Sequence, residues 1–249
     1  MEQKDPHSCY LEIMSQLPTD IYGLKFRPTI EPSRVDSTDT NPNGNRLHGS
    51  SGPDQPYFDD DRDWPLKQLW GHPDNGWPGP PMEVSDENYA ICEEVVRSLG
   101  DRCKVIVEIG VNRNGNRSMT QAFLTNKSAD CIYFGIDIED KTILNSSEKH
   151  IHTIIANSFE QEQIREAMKS VGIDKIDILA IDGWHSVNTA INDWKYANIL
   201  SDNGVVVLHD TNTHPGPVCL FEAVDENLFE KKRHCTDYID YGIATFRKK

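Results

Sequence analysis

Five short apolar runs between residues 104 and 210 each end on polar residues that could hold a ligand. The first, KVIVEIG (104–110), leads into Glu108-Ile109-Gly110-Val111-Asn112-Arg113-Asn114-Gly115-Asn116-Arg117-Ser118. Gly110 and Gly115 would let the backbone approach a ligand closely and turn into a helix. The second, CIYFGID (131–137), ends on Asp137, about 27 residues after Gly110. A carboxylate there can accept from both hydroxyls of a ribose. HTIIA (152–156) is followed by Asn157-Ser158, suited to an adenine edge, while IDILAID (176–182) and GVVVLHD (204–210) end on Asp182 and Asp210. Taken singly, such a glycine is often only a turn, and such an aspartate only a helix cap. Five in succession point to one nucleoside-containing ligand lying across consecutive strand ends. The glycines do not follow the G-x-G-x-x-G spacing of a nicotinamide site, which argues against a dehydrogenase.

Positioning these residues requires a sheet with its strands side by side. The Val/Ile-rich runs alternate with helical patterns at about 117–126, 159–171, 186–200 and 216–229. Continuous apolar strands separated by helices indicate a parallel sheet covered on both faces. A helix is predicted to start at Ser85, with Tyr89, Ile91, Cys92, Val95, Val96 and Leu99 as its apolar stripe, and to close at Gly100. The last segment, RHCTDYIDYGIATFRK (233–248), reads as two strands joined by a tight turn, an antiparallel end to the sheet. The expected fold is therefore α/β, a doubly wound, mostly parallel, seven-stranded Rossmann-like sheet. Ligands of such folds lie beyond the carboxyl ends of the strands.

VEIGVNRNGNRS (107–118) resembles the first motif of class I S-adenosylmethionine (SAM) dependent methyltransferases. The stretch 176–211 is similar to a subgroup that includes macrolide-sugar O-methyltransferases and cephalosporin hydroxylase-like proteins. That subgroup reads I-D-G-x-H-S, a helix, L-x-x-G-G, then a strand ending in H-D. Here the counterparts are Ile181-Asp182-Gly183-Trp184-His185-Ser186, Leu200-Ser201-Asp202-Asn203-Gly204 and His209-Asp210. The resemblance covers roughly residues 85–249 and implies O-methylation of a hydroxyl on a small polyhydroxylated or sugar-containing acceptor. By position it implies that Glu108 and Gly110 lie beside the methionine part of SAM, with Asn112, Gly115 and Ser118 of the same motif also on the cofactor. Asp137 would hold the ribose, Asn157 and Ser158 would border the adenine, and Asp182 would sit near the sulfonium and the acceptor.

In metal-dependent members of the subgroup, acids at the fourth and fifth strand ends hold a divalent cation. Asp182 and Asp210 are then the candidate ligands of Mg²⁺, which would orient a hydroxyl and lower its pKa. The alternative is that both aspartates line the cofactor pocket without a metal. His185 is the candidate general base, because an imidazole titrates near neutrality. Two departures weaken the carry-over: Trp184 stands where some relatives have an acid, and Thr211-Asn212 where some have a further acid. His209 is expected to turn into the sheet face for a core hydrogen bond, and His214 to stand at the pocket mouth in a Pro/Gly loop. His150 and His152 are read as surface or core residues. The competing functions are a nicotinamide oxidoreductase and a non-catalytic SAM-fold subunit.

The chain divides near residue 84. Residues 26–82 are rich in Pro, Gly, Asp, Asn and Ser, yet carry Trp64, Trp70 and Trp77, three of the five tryptophans. Such a segment buries too little apolar surface to order alone. Residues 1–84 are therefore expected to form an irregular extension, capping the acceptor pocket of the domain at 85–249. The tryptophans would either face a sugar or anchor the extension. A short helix is expected at 8–17. The formal net charge of −15 argues against a nucleic-acid partner, which a basic face would attract. The six cysteines show no C-x-x-C pair and are expected to be reduced thiols. No apolar run is long enough for a membrane helix, and no secretory signal is evident, so a cytoplasmic location is expected. The implied partner is a small-molecule acceptor, with self-association left open.

Overall fold

The computed structural model describes residues 11, 14–30, 84–111, 118–212, 214–236 and 240–249. Seven strands form one sheet in the order β5-β4-β3-β6-β7-β9-β8: β3 (Val105–Ile109), β4 (Ile132–Asp137), β5 (Ile151–Ile155), β6 (Ile176–Ile181), β7 (Leu200–His209), β8 (Phe229–His234) and β9 (Ile243–Lys248). The pairs β3–β4, β4–β5, β3–β6 and β6–β7 are parallel, whereas β9 runs antiparallel to both β7 and β8. This is the doubly wound, mostly parallel α/β fold that the sequence predicts. The order reverses beside β3, so the first strand lies mid-sheet with its carboxyl end between those of β4 and β6.

Period-two alternation along each strand splits the core between the two faces. Val105, Val107 and Ile109 join a cluster with Ile164 and Met168 of α3 (Gln161–Ser170), Ile191 and Trp194 of α4 (Val187–Trp194), and Val218 and Leu220 of α5 (Pro215–Ala223). Ile106, Tyr133 and Ile178 face the other way, onto Cys92 and Val96 of α1 (Asp86–Leu99) and Phe123 of α2 (Met119–Asn126). Helix α1 begins and ends as predicted: the Ser85 side chain accepts from the Asn88 N–H, and Gly100 closes the helix at φ 54°.

Tertiary contacts overrule local pattern in four places. Where a helix is expected at 8–17, Met14–Leu17 is a strand, β1, paired antiparallel with β2 (Arg27–Ile30). The helix expected at 186–200 is α-helical only to Trp194 and continues as a 3₁₀ turn to Ile199. The expected helix 216–229 stops at Ala223, because Val224 forms a β-bridge with Leu24 and the Asp225 N–H donates to the Gly23 carbonyl. Finally, β8 and β9 are separated by residues 235–242, a longer connection than the tight turn expected. The strap 14–30 is further held by Trp194, whose indole N–H donates to the Tyr22 carbonyl at 2.9 Å.

Candidate active site

The carboxyl ends of β4, β3, β6 and β7 stand in a row, and backbone contacts lock the middle pair together. Gly110 takes φ 84°, and a Cβ there would lie 2.1 Å from the Asp182 carbonyl oxygen. Only glycine fits on both counts. The Asp182 N–H donates to the Ile109 carbonyl at 2.8 Å, completing the junction. Asp137 reaches across to the same turn: its Oδ2 accepts from the Val111 N–H at 2.7 Å and its Oδ1 from the Glu139 N–H at 2.8 Å. An ionised carboxyl has about four lone-pair sites, so each oxygen keeps capacity for one more donor.

The other residues expected on the cofactor are partly committed to the protein itself. Glu108 lies on the α1/α2 face of β3, buried, where its Oε2 accepts from the Thr120 hydroxyl at 2.7 Å and from the Tyr133 hydroxyl. Burial raises its pKa to about 8 against the opposing pull of those two hydroxyls. The Ser118 hydroxyl caps α2 by accepting from the Gln121 N–H. Asn157 accepts through Oδ1 from the Phe159 N–H, and the buried Ser158 hydroxyl meets the Asn192 amide at 3.4 Å. Asn112, Gly115, Trp64, Trp70 and Trp77 lie outside the described residues.

At the ends of β6 and β7 the polar groups form a cluster of carboxylates and imidazoles. His185 Nε2 lies 2.7 Å from Asp210 Oδ2 and 4.0 Å from Asp182 Oδ1. His209 Nδ1 lies 3.1 Å from Asp182 Oδ1 and 3.5 Å from Asp210 Oδ1. The His214 ring stands 4.2 Å from that of His185, centroid to centroid, and stacks parallel to Tyr241 at 6.1 Å. Asp210 is almost fully buried and takes φ 61°, a left-handed conformation that a non-glycine residue holds only when its surroundings enforce it.

Two packing features build this cluster. The Gly216 N–H donates to the His185 carbonyl at 2.9 Å, and a Cβ on Gly216 would come 2.4 Å from that carbonyl oxygen. The start of α5 is thereby pressed onto the 183–186 loop, which carries His214 to His185. From below, Asp193 of α4 sits fully buried, with Oδ2 3.1 Å from where a Cβ on Gly183 would be, and burial raises its carboxyl pKa to about 7.

The electrostatics follow from burial and charge. Burial opposes a charged His185, but Asp210 and then Asp182 outweigh it and hold its pKa above the ordinary value. Desolvation likewise opposes ionisation of Asp210, yet His185 and His209 keep its pKa well below the usual carboxylate range. For His209 the carboxylates pull toward a second proton, whereas hydrogen-bond geometry opposes one. The Asn88 amide nitrogen donates to Asp240 Oδ1 at 3.0 Å and faces His209 Nε2 at 3.4 Å. That leaves Nε2 an acceptor, so the neutral tautomer with its proton on Nδ1, facing Asp182, fits the contacts.

His209 is buried and hydrogen-bonded, as the sequence predicts, and its bond to Asp182 brings it into the cluster. Asp193, Asn88 and Tyr241 carry no signal in the sequence read alone. The His-Pro-Gly-Pro run at 214–217 does: two prolines and a glycine at a helix start mark a backbone held for close approach.

No family model and no curated protein matches the chain. Solved structures do. The O-methyltransferase from Bacillus cereus, in complex with SAH, superposes with a TM-score of 0.50 at 14% identity, over 68% of this chain and 84% of that one. The MycE methyltransferase of the mycinamycin biosynthetic pathway, in complex with Mg and SAH, superposes with a TM-score of 0.46 at 17% identity, over 64% of this chain. The match takes in 48% of the MycE chain, so the protein spans about half of that relative's length. Together with the sheet order, the likeness to the Bacillus cereus structure shows that this chain has the fold of the class I SAM-dependent methyltransferases.

Proposed function

We propose that the protein transfers the methyl group of SAM to a hydroxyl of a small polyhydroxylated or sugar-containing acceptor, with His185 as general base. The observation that carries this reading is the His185–Asp210 pair, 2.7 Å apart, beside Asp182 at the switch point of the sheet. Asp137 fits a ribose by the chemistry of its free lone pairs, and Gly110 clears the backbone beside it. When bound, SAM supplies an electrophilic methyl group on a sulfonium. A proton kept on His185 Nε2, which is paired with Asp210 at 2.7 Å, leaves Nδ1 as the basic nitrogen, able to take the proton of an acceptor hydroxyl as the oxygen bonds to carbon. Asp210 fixes the tautomer and offsets the imidazolium charge, and Asp182, held by His209, faces the reacting centre as a second acceptor. The cap expected of residues 26–82 remains part of this proposal. From Ile30 onward they lie outside the residues whose side chains are described.

The Mg²⁺ assistance implied by the resemblance would use Asp182 and Asp210. Their inward oxygens already meet imidazole nitrogens at 2.7 to 3.5 Å, and Mg²⁺ requires a near-ideal octahedron of oxygens. A donor set interleaved with imidazole nitrogens does not suit Mg²⁺. Calorimetry with SAM and with NAD tests the cofactor: SAM binding without NAD binding is expected, and the reverse would sink the reading. Turnover of sugar hydroxyls by wild type, with loss in His185→Ala at unchanged SAM affinity, tests the base.

A further inference from the structure

The imidazoles crowded around Asp210 exceed what a single general base needs. His185, Asp210 and His214 each present one ligand atom, all within 4.8 Å of one another. We propose that these three side chains form a binding site for a nitrogen-preferring divalent metal such as Zn²⁺, rather than the all-oxygen Mg²⁺ site that Asp182 and Asp210 alone would suggest. Two imidazoles and one carboxylate are the donor set of a three-ligand zinc site with its fourth position open. Imidazole favours Zn²⁺, Ni²⁺ and Cu²⁺, while Mg²⁺ selects oxygen. Metal–ligand bonds of about 2.0–2.1 Å in a tetrahedron put donors about 3.3 Å apart, and small movements bring all three to that spacing.

The pairing of His185 with His214 is built into the backbone. Gly216 is tied to the His185 carbonyl at 2.9 Å, and no side chain fits between them. Two imidazoles are thus forced together beside a buried carboxylate whose own backbone is strained. A second triad, Asp182, His209 and Asp210, is equally compact. It is excluded as the first choice because His209 is 2% exposed and its Nε2 accepts from Asn88, which leaves the proton on the Nδ1 that would have to bind metal. His209 instead stands behind Asp210 Oδ1 at 3.5 Å, the position of an outer partner that orients a ligating carboxylate. Tyr241, stacked on His214, holds the other side.

The inference rests on the geometry of the cluster and not on methyl transfer. It has a consequence for that reading: His185 Nε2 can carry either the proton given to Asp210 or the metal. Metal at Nε2 leaves the proton on Nδ1, so occupancy would silence the base.

The test uses the full chain, freed of metal by chelation and without SAM, titrated calorimetrically with Zn²⁺ and with Mg²⁺. One Zn²⁺ is expected to bind at least about 100-fold more tightly than Mg²⁺. His185→Gln and His214→Gln should each weaken Zn²⁺ by at least about 10-fold, as should His209→Gln through the outer shell. His150→Gln, an exposed histidine elsewhere, should leave it unchanged. Substituted Co²⁺ should show the visible spectrum of a nitrogen-ligated tetrahedral ion, lost in the same variants. Mg²⁺ binding within tenfold of Zn²⁺ overturns the proposal. So does wild-type Zn²⁺ affinity and Co²⁺ spectrum in the His185 and His214 variants. Should a variant fail to fold, the Zn²⁺-to-Mg²⁺ ratio of wild type still decides. Failure of methyl transfer would leave all these readings intact.

Discussion

Asp137 and Asp210 each follow an apolar strand of the same sheet, yet they are held in opposite ways. Asp137 is half-exposed and gripped by two neutral backbone N–H groups, those of Val111 and Glu139. Asp210 is buried and gripped by two imidazoles, with a left-handed backbone. The first arrangement suits an acceptor for hydroxyls, since the groups that grip it are backbone amides. The second suits a group that moves a proton or holds a cation, because its partners are themselves titratable. Under the proposed function the row of strand ends would divide into a binding half over β3 and β4 and a chemical half over β6 and β7, made from the same residue type.

Substitutions should separate these halves. The largest effect is expected from Asp210→Asn, which removes the charge shared by His185 and His209. Turnover should fall by about 10²–10⁴-fold, the scale of a lost acid–base device, while SAM affinity measured by calorimetry stays within a few fold. A comparable loss of SAM affinity would merge the two halves. Asp137→Ala should do the converse: losing a hydrogen bond to a charged group costs about 1.5–3 kcal/mol, so SAM should bind about 10- to 100-fold more weakly, with turnover recovering at saturation.

Beneath the binding half, Glu108 gives a test by stability. Its folded carboxyl, at about 8, holds a proton more firmly than an unfolded one near 4.5. The fold is therefore favoured at low pH, and the advantage is lost as pH rises from about 4.5 through about 8. The loss amounts to at most about 1.4 kcal/mol per pH unit. Glu108→Gln keeps an acceptor for Thr120 and Tyr133, and should flatten that slope in denaturant melts at several pH values. An unchanged slope would mean that the carboxyl is hydrated and the pocket more open than described. The smallest effect expected is a displacement of the pH profile. With chelator present, turnover should rise with pH as His185 loses its proton, on a limb lying above the ordinary imidazole value. Residual turnover in Asp210→Asn should show that limb moved down, because the raising charge is gone. A limb that stays in place would assign the base elsewhere.

The amino-acid pattern alone determined the parallel sheet, the cap and stop of α1, and the identity of every strand-end residue from Gly110 to Asp210. These are local properties. An apolar run bounded by a glycine or an aspartate states its own length and end, and a serine states a helix start through its own hydroxyl. Tertiary structure decided the rest. Met14–Leu17 became a strand because Arg27–Ile30 lies beside it, and α5 ended at Ala223 because Leu24 bridges Val224. His209 and His214 joined Asp210 because β7 ends beside β6 and because Gly216 lets α5 dock on the His185 backbone. The physical reason is range. Side chains within a few residues of each other are related by helix or strand period, whereas an imidazole and a carboxylate brought together from different strands and helices acquire their pKa values and donor geometry only when the sheet closes around them.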